Sequence, residues 1–532
     1  MIARASSLWD RLLAAAPLAA IAVIWLTTAG HTLNFREMYN ARGWVTAEAY
    51  SLHSGYLLAI ALTLLASPHL LRHFPWLGFR GPVLFGLAAF AGGSALNGFF
   101  VEWPLWGFLT GRVLAGIGGG LVLFYTPMLL EPRWDRTVAW AAILLPPLGA
   151  PLIGGASFLY GTAAWEGGFL FEGLLALVCF AAVMAMPRAK AAQPPRLLPA
   201  GPILYLPWLV LAVAAGWYCL HWGQLQGWSE SPLVLLAYAA GGLGLVGTCW
   251  LLRGALDLAA VRENGLRLGL MAFAGAVQFF HGTTMTIYSG LLINYDVWQR
   301  SWLVWSMPIG TALALAIASL WLRRRPLGSG GAVSGLLILA LGMWLLNRTT
   351  MDWPFWRVEN TMHLNWFMAP LHWQLAPGRI VTGFGLGWLF ASLTAMVSRR
   401  TSVELHIRQL FPVFQTMAGG LSIGLLVTWL IIGHQTQYVY VSENVGTTQA
   451  AELSAEMARL QEVLVQSGAS PSVAERKARS LFYRAVNYQA DNLTYAEMYG
   501  SFCQAALLLA GITIVGTLAR RVLHPRSALE TT

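Results

Sequence analysis

Charge is scarce in this sequence. Asp, Glu, Lys and Arg make up only 11% of its 532 residues, while apolar residues make up 57% and the mean hydropathy is +0.59. A soluble chain carries about a quarter charged residues to solvate its surface, so a freely soluble globular protein is excluded. Cysteine is scarcer still. Cys179, Cys219, Cys249 and Cys503 lie in apolar runs without metal-ligand spacing, which excludes a disulfide framework and a thiolate metal centre and leaves small hydrophobes. No Gly-rich loop is followed by Lys-Ser or Lys-Thr, so ATP-driven chemistry has no phosphate cradle. No enzymatic constellation stands out, and His363 and His372 lack a third ligand for a metal. The net charge of +10 is dispersed rather than gathered into a basic patch with interleaved aromatics, which excludes nucleic acid as a partner.

What the sequence has is apolar length. Runs of about twenty residues, each enough to cross a hydrocarbon core of about 30 Å, predict an all-α membrane protein of about fourteen spans: 12–30, 47–66, 82–100, 106–130, 138–160, 168–186, 203–222, 232–251, 268–290, 302–322, 331–347, 378–397, 410–432 and 497–518. In lipid each backbone N–H and C=O must bond within its own segment, hence helices. The 25 Trp suit headgroup-level anchoring. The first apolar run is too long for a cleaved signal peptide and reads as a retained helix. Basic residues set the orientation. The termini and even-numbered connections hold most of the 33, including Arg4, Arg11, Arg133, Arg136, Arg253, Arg323, Arg324, Arg325, Arg399, Arg400, Arg520 and Arg521. The short odd-numbered connections hold Arg36, Arg42, Arg300, Arg348, Arg357 and Arg379. The positive-inside rule therefore predicts a multi-pass protein of a bacterial inner membrane with both termini cytoplasmic.

Two external segments are long. Residues 348–377, rich in Trp and Pro, suggest a loop lying on the membrane surface. Residues 433–496 predict a helical hairpin: Leu453, Met457, Leu460 and Leu464 form an apolar stripe at helical spacing. Gly468 ends that arm, Ser470-Pro471 supplies an N-cap with Pro behind it, and Ala474, Ala478, Leu481 and Ala485 continue the stripe. The hairpin either packs on its own bundle or offers a docking surface to a periplasmic partner.

Several segments resemble the major facilitator superfamily, specifically its fourteen-helix drug:proton antiporter branch. The fourth span reads GRVLAGIGGGLVLFYTPMLL and the fifth LLPPLGAPLIGG, followed by WEGGFLFEG opening the sixth. GWYCLHWGQLQGWSESPLV is similar to the end of the seventh helix, PGRIVTGFGLGWLF and FQTMAGGLSIGLL to the twelfth and thirteenth, and RAVNYQADNLTYAEMYGSF to the last external loop. Departures are a degraded connection between spans two and three, SPHLLRHFPWLGFRGP, and a first span without the family's Asp-x-Thr. The resemblance implies two six-helix bundles, 1–200 and 265–532 (the second including hairpin 433–496), with two inserted helices and a cytoplasmic linker at 201–264. It also implies a proton gradient as energy source with no cofactor, and a periplasmic adaptor and outer-membrane channel as partners.

Arg112 stands out within the fourth span. An arginine there costs about 2.5–3.5 kcal/mol on insertion scales, so it should face the bundle interior with a partner; the resemblance assigns the matching residue a part in proton coupling. Glu48 and, after it, Glu172 are the expected acids, with His31 and His53 as alternative titrating groups. Gly149, Pro151, Gly154 and Gly155 form a packing and bending motif suited to alternating access. Gln278, His281, Met285 and Tyr288 share one helical face, with Thr284 nearby. That face reads either as a cavity wall for a lipophilic or amphipathic small molecule or as helix–helix glue. The expected function is proton-coupled export of such a molecule. Alternatives are a transporter-like scaffold or sensor that no longer transports, and an importer of an organic anion.

Overall fold

A computed structural model describes residues 8–33, 35–74, 77–100, 102–130, 165–186, 203–253, 258–292, 295, 297–322, 327–351, 370–397, 402–447 and 450–523. These residues are helical almost throughout, and ten of the helices are long and apolar enough to cross a membrane. In order they are α1 (Leu8–Leu33), α2 (Phe35–Arg42), α3 (Thr46–His73), α4 (Arg80–Phe99), α5 (Leu105–Leu130), α6 (Glu166–Ala185), α7 (Tyr205–Trp222), α8 (Pro232–Leu252), α9 (Leu258–Ile287), α10 (Val297–Leu322), α11 (Ser329–Met351), α12 (Pro370–Val397), α13 (Ser402–Thr447), α14 (Ala450–Gln466) and α15 (Pro471–Leu523). The fifth expected span, 138–160, and the body of the aromatic loop, 352–369, lie outside the described residues.

Most helices overrun the apolar windows that announced them. Hydropathy marks the stretch in lipid, whereas helical hydrogen bonding continues beyond it. The consequence is largest at α12, which opens at Pro370 rather than near 378, so that Arg379, at the edge of the expected span and counted with the preceding connection, lies nine residues inside a helix. Arg300 likewise sits inside α10. Both side chains are buried.

Helices α1, α3, α4, α5 and α6 pack as one group, and α9 to α13 with α15 as another. The main described seam between them is α3 against α13, supplemented by α1 against α9 and α10. Helices α7 and α8 pack on each other, and α7 also lies on both α3 and α13. The expected division at 264/265 falls within α9.

The two groups repeat one glycine pattern. Gly111-Arg112 is followed by Gly116, Gly118 and Gly120, and Gly378-Arg379 by Gly383, Gly385 and Gly387 in identical register. Equivalent glycines meet equivalent helices. A Cβ on Gly116 would fall 2.6 Å from the Tyr56 carbonyl oxygen of α3, and one on Gly383 would overlap the Met307 carbonyl of α10. Gly118 lies against Gly86 and Phe90 of α4, and Gly385 against Leu339 and Gly335 of α11. Small residues let these backbones approach closely. Arg112 and Arg379 therefore occupy corresponding places in two structurally repeated halves.

Beyond the bundle, α13 and α15 continue as single helices, so the hairpin is built on extended spans rather than appended through loops. The α14–α15 turn has a left-handed Gly468 (φ 96°), with Gly468 N–H donating to the Val465 carbonyl and Ala469 N–H to that of Leu464, the pairing that ends a helix on glycine. Ala474 and Ala478 are buried and Met457, Leu460 and Leu464 half-buried, as the stripe requires. Leu481 departs from it and is exposed, while the side chains of Leu453 and Ala485 lie outside the described residues.

Candidate functional site

The first group assembles a charge site about 9–10 Å, at 1.5 Å per residue, from the helix ends on the hairpin side. Thr27 of α1, His53 of α3, Arg112 of α5 and Glu172 of α6 all lie at that depth. Arg112 is fully buried and Glu172 is 1% exposed. Their side chains form an ion pair, Nη1 to Oε2, at 4.0 Å. That is close enough for strong attraction but longer than a hydrogen bond. None of the three Arg112 nitrogens has a hydrogen-bond partner, nor does Glu172 Oε2. Aromatic faces hold the cation instead: the guanidinium carbon sits 4.8 Å from the centre of the Tyr56 ring and 5.0 Å from that of Phe169, within cation–π range. Tyr56 is fixed by donating its hydroxyl to the Ile24 carbonyl at 3.0 Å. Buried polar groups are normally satisfied, so a guanidinium left without hydrogen bonds, facing a carboxylate held from its other side by Thr27, is poised to change partners.

Towards the hairpin side the pair is capped by rings. Phe108 contacts Trp44, Trp165 and Phe169 with ring centres 5.6–5.7 Å apart. The aromatic opening of α6, legible in WEGGFLFEG, is thus a plug that keeps water from the charges.

Glu48 occupies a different place from the one expected. Its Oε2 accepts from the Val45 backbone N–H at 2.9 Å, capping the start of α3, and the acid that meets Arg112 is Glu172. His53 is buried within electrostatic reach of Arg112. His31 lies on α1, with its side chain outside the described residues, and Gly149, Pro151, Gly154 and Gly155 also lie outside them.

The second group holds the face on α9. Gln278 Oε1 accepts from Gln415 Nε2 of α13 at 2.7 Å, Thr284 bonds back to the Phe280 carbonyl, and Tyr288 donates to Asn492 Oδ1 of α15 at 2.9 Å. Met285 is fully buried. Gln278 and Tyr288 thus join helices, while the His281 ring lies 5.5 Å from that of Tyr499, within reach of the Arg379 charge. Arg379 donates Nε to Ser306 Oγ at 3.0 Å and Nη2 to the Val304 carbonyl at 3.2 Å. Arg379, Tyr499 and Ser306 escaped the sequence reading. The signal that finds them is the repeated Gly-Arg register, which makes Arg379 the counterpart of Arg112.

Helix α7 is tied to α3 by side chains at both ends. At one end His221 Nε2 and Ser54 Oγ are 2.6 Å apart, with Trp217 Nε1 donating to the same Oγ at 2.9 Å; at the other, His69 and Tyr205 are hydrogen-bonded at 3.3 Å. The inserted helix is pinned along α3 at both ends, over the seam with α13.

No family model matches the chain, and no curated protein does. Solved structures do. A structure illustrating substrate recognition in proton-dependent oligopeptide transporters superposes with a TM-score of 0.58 at 14% identity, covering 95% of this chain and 97% of that one. A POT family transporter in complex with a thioalcohol-conjugated peptide gives 0.58 at 12% identity, over 96% of each. An auto-inhibited POT family peptide transporter gives 0.52 at 16%, over 96% and 97%. The fold is that of the major-facilitator transporters. At these identities the likeness extends to the fold and not to residues. The Arg112–Glu172 site is therefore read from this chain's own geometry.

Proposed function

We propose that this protein is a secondary active transporter that couples proton movement to the passage of a lipophilic or amphipathic small molecule, by alternating access, out of the cell. The observation that carries the reading is the Arg112–Glu172 pair: a buried carboxylate and guanidinium 4.0 Å apart, with all three guanidinium nitrogens and the facing carboxylate oxygen Oε2 left without hydrogen bonds, in a fold made of two repeated halves. Glu172 is the group that loads and unloads the proton. While Arg112 stays close, it stabilises the carboxylate and favours proton release. When the halves rock and the pair loosens, the carboxyl reprotonates, because an uncompensated charge in a dry site is costly. Thr27 supports the cycle from α1, its hydroxyl facing Glu172. The POT relatives are described as proton-dependent, which supports coupling. Export follows the resemblance to the drug:proton antiporters, whose adaptor and outer-membrane channel would meet the hairpin, where Val463, Val465, Leu481 and Tyr483 are exposed.

The test is proton counterflow in reconstituted vesicles. A lipophilic fluorescent cation or acid added to proteoliposomes under an imposed pH gradient should move against the proton, with a matching change in lumenal pH. Glu172→Gln should abolish gradient-driven movement while leaving downhill exchange of the probe. Gradient-driven transport that survives both Glu172→Gln and Arg112→Ala refutes the mechanism. One observation favours the scaffold reading: Trp25 of α1 and Phe279 of α9 lie 6.0 Å apart in the space between the two groups. Absence of any downhill exchange by the unmodified protein would decide for it.

A further inference from the structure

The two halves are alike in backbone and unlike in charge. On α5, Arg112 faces Glu172 of α6, the last helix of its half. On α12, Arg379 occupies the corresponding place, and Tyr499 of α15, the last helix of its half, lies within electrostatic reach of it. A phenol stands where the other half has a carboxylate. Among the described residues no carboxylate forms an ion pair with Arg379. Its hydrogen bonds go to Ser306 and the Val304 carbonyl, both neutral.

The site has unused donors. Arg379, 1% exposed, keeps Nη1 without a partner; the Tyr499 hydroxyl, 1% exposed, has none; and neither nitrogen of the fully buried His281 has one. Side chains from α9, α12 and α15 thus converge with at least three unfilled polar positions around one positive charge. Arg379 lies four residues inside the apolar span Leu375–Met396, about 6 Å along α12. Leaving such donors empty is costly. One anionic group would fill them: two oxygens to accept from Arg379 and Tyr499, and a position beside His281, whose ring in either tautomer has one N–H to give. Phe280 and Met285, neighbours of His281 along α9, are buried and apolar, which suits a cargo with a hydrophobic body behind that head.

We propose that Arg379, Tyr499 and His281 bind the anionic head, a carboxylate or sulfonate, of an amphipathic cargo. Its passage across the membrane rests on the transporter reading above; its binding does not. The first half then carries its own carboxylate for the proton, and the second receives its carboxylate from the cargo.

Equilibrium dialysis tests this without any gradient, on the full chain in nanodiscs of neutral phosphatidylcholine. The probes are radiolabelled 4-phenylbutyrate, decanoate and naphthalene-2-sulfonate, each against its neutral amide. The unmodified protein should bind at least one anion saturably and roughly tenfold tighter than its amide. Arg379→Gln should erase that preference, and Tyr499→Phe, which removes only a hydroxyl, should weaken anion binding severalfold with unchanged melting and elution. Tyr499→Glu is the diagnostic variant. It would set a carboxylate on Arg379 as Glu172 sits on Arg112, abolishing anion binding while raising the melting temperature. No saturable anion binding, equal binding of anion and amide, or a preference that survives Arg379→Gln overturns the proposal. Displacement of the anion by phosphatidylglycerol at stoichiometric amounts would assign the site to lipid and overturn it too. Glu172→Gln should bind the anions normally, so a failed coupling mechanism and a failed anion site give different results.

Discussion

The Arg112–Glu172 pair makes a quantitative prediction that a double-mutant cycle can check. Two unit charges 4.0 Å apart, at the effective dielectric of about 20 that suits protein sites, attract by about 4 kcal/mol. Each also lost its hydration on burial, so removing one partner strands the other. Breaking a buried pair in this way costs about 3–5 kcal/mol. Glu172→Gln and Arg112→Gln should therefore each destabilise the fold by that amount. The double variant leaves no stranded charge, and it should be about as stable as either single variant. Equilibrium unfolding in mixed micelles, titrated with dodecyl sulfate and followed by tryptophan emission, measures all four corners. Additive single effects, within the roughly 0.5 kcal/mol typical of independent sites, would show that the two charges do not feel each other and would remove the physical basis of the coupling mechanism. The cation–π contacts from Tyr56 and Phe169 add a graded check: Tyr56→Leu should cost Arg112 about 1–2 kcal/mol while leaving Glu172 paired.

Other outcomes follow from single contacts. Gly383→Ala should be strongly destabilising, because its Cβ would run into the Met307 carbonyl, whereas Gly92→Ala on α4, with nothing within 4 Å of the added methyl, should be neutral or slightly stabilising in the same thermal assay. Ser54→Ala should loosen α7 from α3 by about 1–3 kcal/mol, since His221 and Trp217 both lose a buried partner; faster hydrogen exchange confined to α7 and α8 reports it. Gly468→Ala forces a side chain into left-handed backbone at φ 96°, costs about 1–2 kcal/mol, and should raise proteolysis at the α14–α15 turn without altering transport.

Much of this molecule was legible from residue order. Scarce charge and repeated apolar runs dictate spanning helices because lipid offers backbone groups no partner, and Gly468-Ala469-Ser470-Pro471 encodes its own turn through glycine's access to positive φ and proline's preset φ. Arg112 was recognisable as buried because an arginine within an apolar run has nowhere else to go. What it pairs with was not. Glu48 and Glu172 are both acids near the same side of the membrane, and only packing shows that one caps α3 while the other, reached through α6, meets the guanidinium. Arg379 looked like a loop residue because hydropathy falls off before helicity does, and Pro370–Val397 is one helix whose first turns are not uniformly apolar. Tyr499 carries no mark of function in a sequence with 16 tyrosines; it acquires one by standing where its structural counterpart is a glutamate. Sequence specifies which segments enter the bilayer and which charges are trapped there. The crossing of helices distant in the chain decides which of those charges are answered, because compensation is a matter of a few ångströms between side chains that residue order leaves unrelated.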